Sequence, residues 1–159
     1  MVDADACPVK DEIYRVARRH GVGVRVVANQ MLRVPVEPGF ARVIVGDGFD
    51  AADDWIADRS DATSIVVTSD ILLAERCVKA GAVVMGPDGR PFDHARIGGA
   101  VAMRALMADL RAMGSVTGGP APFSPRDRSA FLQALDGAVV KLKRQQRAAP
   151  PTIPAPPAI

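Results

Sequence analysis

The segment Ser64–Thr68 (SIVVT) is an unbroken apolar, β-branched run of the kind buried on both faces of a sheet. It constrains the chain more than any other feature, because a strand covered on both sides needs helices above and below it. Similar short runs recur. Met1-Val2-Asp3 reads as the end of a buried strand, and Val22–Val27, Val43–Val45 and Ala82–Met85 as three more. Helical spacing fills the gaps. Pro8 suits the first turn of a helix to about His20, with Ile13, Val16 and Ala17 on one face and Gly21 as its stop. Asp50 is placed to cap Ala51–Ser60, with Trp55 and Ile56 packing inward, and Asp70 precedes a helix from Ile71 to Ala80. Ile97–Met113 forms a long helix with Val101, Leu106 and Leu110 among its apolar positions. Ser124-Pro125-Arg126-Asp127 then opens a last helix to about Arg147: Ser caps, Pro fits the first helical position, and Asp complements the helix dipole. Ser115–Pro122 reads as a Gly/Pro loop.

Strands alternating with helices predict an α/β domain, a central and mostly parallel sheet with helices on both faces. A single domain is expected over residues 1–147. Residues 148–159, AAPPTIPAPPAI, hold five prolines and no charge, and read as a disordered polyproline-type tail. Two cysteines make neither a disulfide framework nor a Cys-rich metal site, and His20 and His94 have no partner at ligand spacing. No run approaches the roughly 20 apolar residues of a membrane span. An acidic DxD stands where a signal peptide would carry basic residues, so a soluble, cytoplasmic chain without a membrane partner is expected.

The acids are lopsided, fifteen Asp against three Glu, which suits strand ends and helix starts better than solvated helix faces. In open α/β sheets the reactive crevice lies outside the carboxyl ends of the strands. Asp3 and Asp5 follow the first strand. Asp47 and Asp50 follow the third, with Asp53 and Asp54 inside the next helix, and Asp70 follows SIVVT. Asp50 and Asp54, four apart, are expected on one helix face. Each Asp alone also reads as a cap or turn residue. Together, carboxylates at one sheet edge repel each other and raise each other's pKa unless a cation neutralises them. Oxygen ligands without Cys or His select Mg²⁺ or Mn²⁺, and such a site can activate water for phosphoryl displacement.

Thr68 and Ser69 stand beside Asp70, where their hydroxyls either support ligands or a phosphate, or simply continue the strand and begin the next cap. Cys7 lacks an Arg six residues on, where Ile13 stands, so a cysteine-phosphatase loop is absent and a structural cysteine is expected. Gly118-Gly119-Pro120 lacks the Lys-Ser/Thr ending of a phosphate loop. Residues 1–75 carry thirteen acids and eight bases, whereas residues 76–159 carry five acids and twelve bases. The basic half, with Arg96, Arg104, Arg111, Arg126, Arg128, Lys141, Lys143, Arg144 and Arg147, is either a phosphate-backbone contact or a set of solvated helix faces.

VDADACPVK at 2–10, VANQ at 27–30, GFDAADDWI at 48–56, VVTSDILLAERCVKAGA at 66–82 and GGPAPFSPRDRSAFLQALD at 118–136 together resemble the YaiI/YqxD family of uncharacterised bacterial proteins. The resemblance covers residues 1 to about 144, all but the Pro-rich tail. The family is similar in fold to PIN and NYN nuclease-like domains, which implies a PIN-like three-layer domain. It places the acidic roles on Asp3 or Asp5, on Asp50 with Asp54, and on Asp70. Met1 and Val2 alone precede Asp3, a shorter start than the family pattern.

Three functions follow. The first is a Mg²⁺- or Mn²⁺-dependent nuclease or phosphodiester hydrolase acting on RNA, with Asp3, Asp5, Asp50, Asp54 and Asp70 as catalytic and metal residues. Thr68, Ser69, Arg104, Arg126 and Arg128 would then hold substrate. The second is a haloacid-dehalogenase-type phosphatase, in which Asp3 of Asp3-Ala4-Asp5 attacks phosphorus and Asp5 acts as acid/base. Motif order opposes it, because Asp53-Asp54 precedes the Thr68/Ser69 strand end where that fold needs its acidic pair last. The third is a nucleic-acid-binding or regulatory protein that keeps the pocket without turnover.

Overall fold

The computed structural model describes residues 1–5, 7–114 and 122–149. Five strands, β1 (Val2–Asp3), β2 (Val24–Ala28), β3 (Phe40–Ile44), β4 (Ile65–Val67) and β5 (Val83–Met85), form one sheet in the order β3-β2-β1-β4-β5. All four pairings are parallel, with Val2 opposite Val26 on one side and Val67 on the other.

Both faces of the sheet are covered, as SIVVT requires. Successive strand residues point to opposite faces, so Val67 and Met85 join one core cluster while Val66 and Val84 join another. The first cluster lies under α1 (Lys10–His20) and α5 (Pro125–Ala148). α1 buries Ile13, Tyr14, Val16 and Ala17, and it ends at Gly21, whose φ of 61° is the left-handed conformation glycine adopts without strain. α5 buries Phe131, Leu135, Val139 and Leu142 at helical spacing against α1; Ser124 caps it as the sequence predicts, and Asp127 completes a capping box with it. Asp136 of α5 meets His20 Nε2 at 2.7 Å, closing the far end of this pair.

The opposite face carries α2 (Ala51–Arg59) and α3 (Ile71–Lys79), whose Ile56, Leu73, Ala74 and Cys77 form the second cluster. α4 (His94–Ala112) lies beside α3. Its apolar positions are largely uncovered: Val101 and Leu106 are 41% and 51% exposed, and α4 buries Ile97 alone. The sequence marks these residues as apolar, but no neighbouring element among the described residues reaches over them.

β2 and β3 are joined without a helix by residues 29–39, whose Leu32 and Val34 pack against the first cluster. The last helix extends to Ala148, one residue beyond the expected boundary, with Ala149 as its C-cap. Of the loop expected at 115–122 and the tail expected at 148–159, residues 115–121 and 150–159 lie outside the described residues. Among the described residues no helix is long and apolar enough to cross a membrane.

Candidate active site

From β1 the chain steps outward through β2 to β3, then crosses to β4 on the other side of β1 and on to β5. Connections leaving neighbouring strands in opposite directions open a crevice at the carboxyl ends of β1 and β4. A pocket of about 510 Å³ occupies this place, lined by Asp3, Asp5, Asp50, Asp53, Ser69, Asp70 and Arg104, with Asn29 and Phe49 among the others.

Thr68 organises its floor. Its hydroxyl donates to Asp3 Oδ2 at 2.8 Å and accepts the Asp70 backbone N–H at 3.0 Å. The residue is buried and does not line the pocket, so Thr68 holds the Asp3 carboxylate and the Asp70 backbone instead of meeting a substrate, one of the readings the sequence offered. Asp3 also accepts the Asp5 N–H on Oδ1 at 3.3 Å. Burial pushes the Asp3 carboxyl above its ordinary range, against the pull of the Thr68 and Asp5 hydrogen bonds. Asp70 caps α3: its Oδ1 accepts the backbone N–H groups of Leu72 and Leu73 at 2.8 and 3.1 Å. The capping residue also lines the pocket.

Asp53 is the residue that sequence reasoning passed over. Its carboxyl is pushed up to about 6, first by burial and then by the charges of Asp70, Asp3 and Asp50, with Arg76 opposing. The expected partner, Asp54, points away and forms an exposed ion pair with Arg76 at 2.9 Å. The reason lies in helix geometry. Asp50 is the N-cap: its carbonyl accepts the Asp54 N–H at 2.8 Å, but its φ of −114° and ψ of 22° are not helical, so its side chain does not share the helical face of Asp54. Inside α2 the buried residue is Ile56, and Ala52 and Asp53 lie four and three residues before it on the same face. Distance from Ile56 was the signal that could have chosen Asp53.

Arg104 reaches the pocket from α4, whereas Arg126 and Arg128 do not line it. Arg128 donates to the Pro8 carbonyl at 2.7 Å and fastens α5 to the start of α1. Asn29, directly after β2, lies at the same strand edge as the acids; the rule that located them applies to it equally. Phe49 is 100% exposed on the pocket lip. Cys7 is buried, and burial pushes its thiol up, as a structural cysteine requires. Among the described residues, no three His, Cys, Asp or Glu side chains are grouped to hold a metal ion.

A family model described as "Uncharacterized BCR, YaiI/YqxD family" matches residues 1–141. A UPF0178 protein of Sphingopyxis alaskensis is 66% identical over 145 residues, which are 91% of this chain and 94% of the relative. A UPF0178 protein of Rhodopseudomonas palustris (strain BisB18) is 60% identical over 148 residues, 93% of this chain and 96% of the relative. One of Nitrobacter winogradskyi is 62% identical over 143 residues, 90% and 91% of the two chains. No solved structure matches the chain.

Proposed function

This chain belongs to the YaiI/YqxD family of uncharacterised proteins, and from that premise we propose that it is a Mg²⁺- or Mn²⁺-dependent phosphodiester hydrolase acting on RNA. The observation that carries this reading is the gathering of carboxylates around one pocket, where burial first, and then the charges of Asp70, Asp3 and Asp50, push the Asp53 carboxyl up to about 6. A cation at this point removes the repulsion. The donors are all oxygen, which suits a hard divalent ion. Mg²⁺ keeps several waters and needs only one or two carboxylates beside a substrate phosphate. Several carboxylates ring this one opening.

Asp53 and Asp70 would hold the ion, with Asp3, Asp5 and Asp50 lining the same opening. When bound, the ion would acidify an attacking water and offset charge in an in-line displacement at phosphorus. Arg104 and the Ser69 hydroxyl would take phosphate oxygens. Phe49 offers its ring to an unstacked base and Asn29 its amide to a base edge, the chemistry of single-stranded RNA recognition. The resemblance of the family to PIN and NYN nuclease-like domains supports the same role.

A phosphatase with Asp3 as nucleophile fits worse. Asp3 is buried, and each of its oxygens already accepts a hydrogen bond. A binding or regulatory protein without turnover is the second reading, favoured by the lack of any three-ligand grouping among the described residues.

The test incubates end-labelled single-stranded RNA and DNA with the protein in Mn²⁺, Mg²⁺ or EDTA. Asp70→Asn and Asp54→Asn serve as variants, and Asn at position 70 preserves the helix cap. Metal-dependent cleavage lost in Asp70→Asn and kept in Asp54→Asn is expected. No cleavage above the Asp70→Asn background refutes the nuclease. RNA binding without cleavage then supports the second reading.

A further inference from the structure

The carboxylates gather at one end of the domain, and the opposite end carries a surplus of positive charge. α1 leaves β1 at the carboxyl edge of the sheet and ends at the other edge with Arg18, Arg19 and His20. α5 runs beside it in the same direction. Arg128, near the start of α5, donates to the Pro8 carbonyl just before α1, whereas Asp136 and Lys143 meet His20 at its end. The rest of α5 extends onward with Lys141, Lys143, Arg144 and Arg147, and no acid follows Asp136 in the sequence. Arg25, near the start of β2, and Arg59, in the last turn of α2, reach the same end, where they line one cleft with Lys143.

The acids in contact with this end are fewer than its basic side chains. Asp136 is taken by Arg19 and His20, at 3.4 and 2.7 Å, and Glu37 by Arg18. Asp61 is the one acid lining the cleft among the described residues, and it accepts from the Thr63 and Ser64 hydroxyls at 2.7 and 2.9 Å. Among the described residues Arg25, Arg59, Lys143, Arg144 and Arg147 form no ion pair. Positive side chains complement the carbonyl end of a helix, which accounts for Arg59 and Arg147 singly. It does not account for Arg25, which stands on a strand, or for a helix half with four basic residues and no acid. A face that only keeps a domain soluble mixes both signs.

We propose that this end is a second RNA contact, where Arg25, Arg59, Lys143 and Arg147 hold the phosphate backbone of a strand whose other part enters the carboxylate pocket. α1, with 11 residues, spans about 16 Å between the two ends, so the phosphates held here are not those at the reacting centre. The surface therefore favours a polymer over a short fragment. The proposal rests on the RNA reading for the polymer, and on the placing of charge for the surface.

Anisotropy titration of a labelled single-stranded RNA of about 20 nucleotides, in EDTA so that nothing is cut, tests this over a range of salt. Each phosphate contact adds about 0.7 to the slope of log affinity against log salt. Arg25→Gln with Arg147→Gln should lower that slope by about 1.4 and weaken binding about 25-fold in about 0.1 M salt. Arg33→Gln with Arg90→Gln, two exposed basic residues elsewhere, should change affinity less than about twofold. Both double variants should unfold at the wild-type temperature, because all four side chains are exposed. Equal losses from the two pairs overturn the proposal, since charge anywhere would then serve. So does an unchanged slope in the first pair, or RNA that fails to bind at low salt. Binding to phosphatidylserine vesicles in place of RNA assigns the surface to a membrane and overturns it too. RNA held through this end by a protein that cuts nothing refutes the nuclease and leaves this surface standing.

Discussion

Asp53→Asn removes one charge from the carboxylate pocket while keeping the size of the side chain, and it is expected to stabilise the fold near neutral pH. The Asp53 carboxyl rises from 3.8 to about 6 on folding, through burial and through Asp70, Asp3 and Asp50. A shift of that size corresponds to about 3 kcal/mol. Asp53 is only half-buried, so solvent screening reduces the effect to about 1–2 kcal/mol. The folded state holds the proton more tightly than the unfolded one. This group therefore stabilises the fold fully below its unfolded pKa, and that contribution is lost as pH rises through about 6. The variant should gain about 2–8 °C in Tm at neutral pH and almost nothing near pH 4. Thermal and urea unfolding of both proteins at the two pH values is the assay. Mn²⁺ or Mg²⁺ should raise the Tm of the wild-type protein more than that of the variant, because binding to the folded state adds stability by mass action. An unchanged or lower Tm at neutral pH, or an equal gain near pH 4, would refute the reasoning that crowded negative charge strains this pocket.

Thr68→Val removes a buried hydroxyl and leaves Asp3 Oδ2 and the Asp70 N–H without it; a loss of about 1–3 kcal/mol is expected by urea unfolding. Gly89→Ala should cost at least about 2 kcal/mol by the same measurement. Its φ is +78°, and an added Cβ would meet the Ala130 carbonyl oxygen, the Ala134 Cβ and the Phe131 Cα, each at 3.0 Å. Phe49→Ala should leave stability within about 0.5 kcal/mol, since the ring is wholly exposed, yet weaken binding of single-stranded RNA about tenfold in a fluorescence titration. Unchanged RNA affinity would remove Phe49 from the substrate surface.

Local chemistry made much of this protein legible in the sequence. SIVVT states two-sided burial without any neighbour in view, and Gly21, Ser124, Pro125 and Asp127 mark helix ends by backbone and capping preferences that act within a few residues. The same holds for the placing of Asp3, Asp5, Asp50 and Asp70, because residues that follow parallel strands gather at one edge of the sheet. What no local rule could supply was the rotation of each element about its own axis and the identity of its neighbours. The choice between Asp53 and Asp54 turned on the burial of Ile56 against the sheet. Thr68 faces inward because β1 lies beside β4, bringing Asp3 within reach of a hydroxyl 65 residues away. Arg128 is tied to α1 and Arg104 reaches the pocket, although both are bases on amphipathic helices and equal in sequence. Val101 and Leu106 carry the apolar spacing of a packed helix, yet stand in water because no described element crosses α4. Periodicity and capping are properties of a segment, and the sequence by itself determined those. Contacts between segments far apart along the chain belong to the tertiary structure, which alone decided which carboxylates meet.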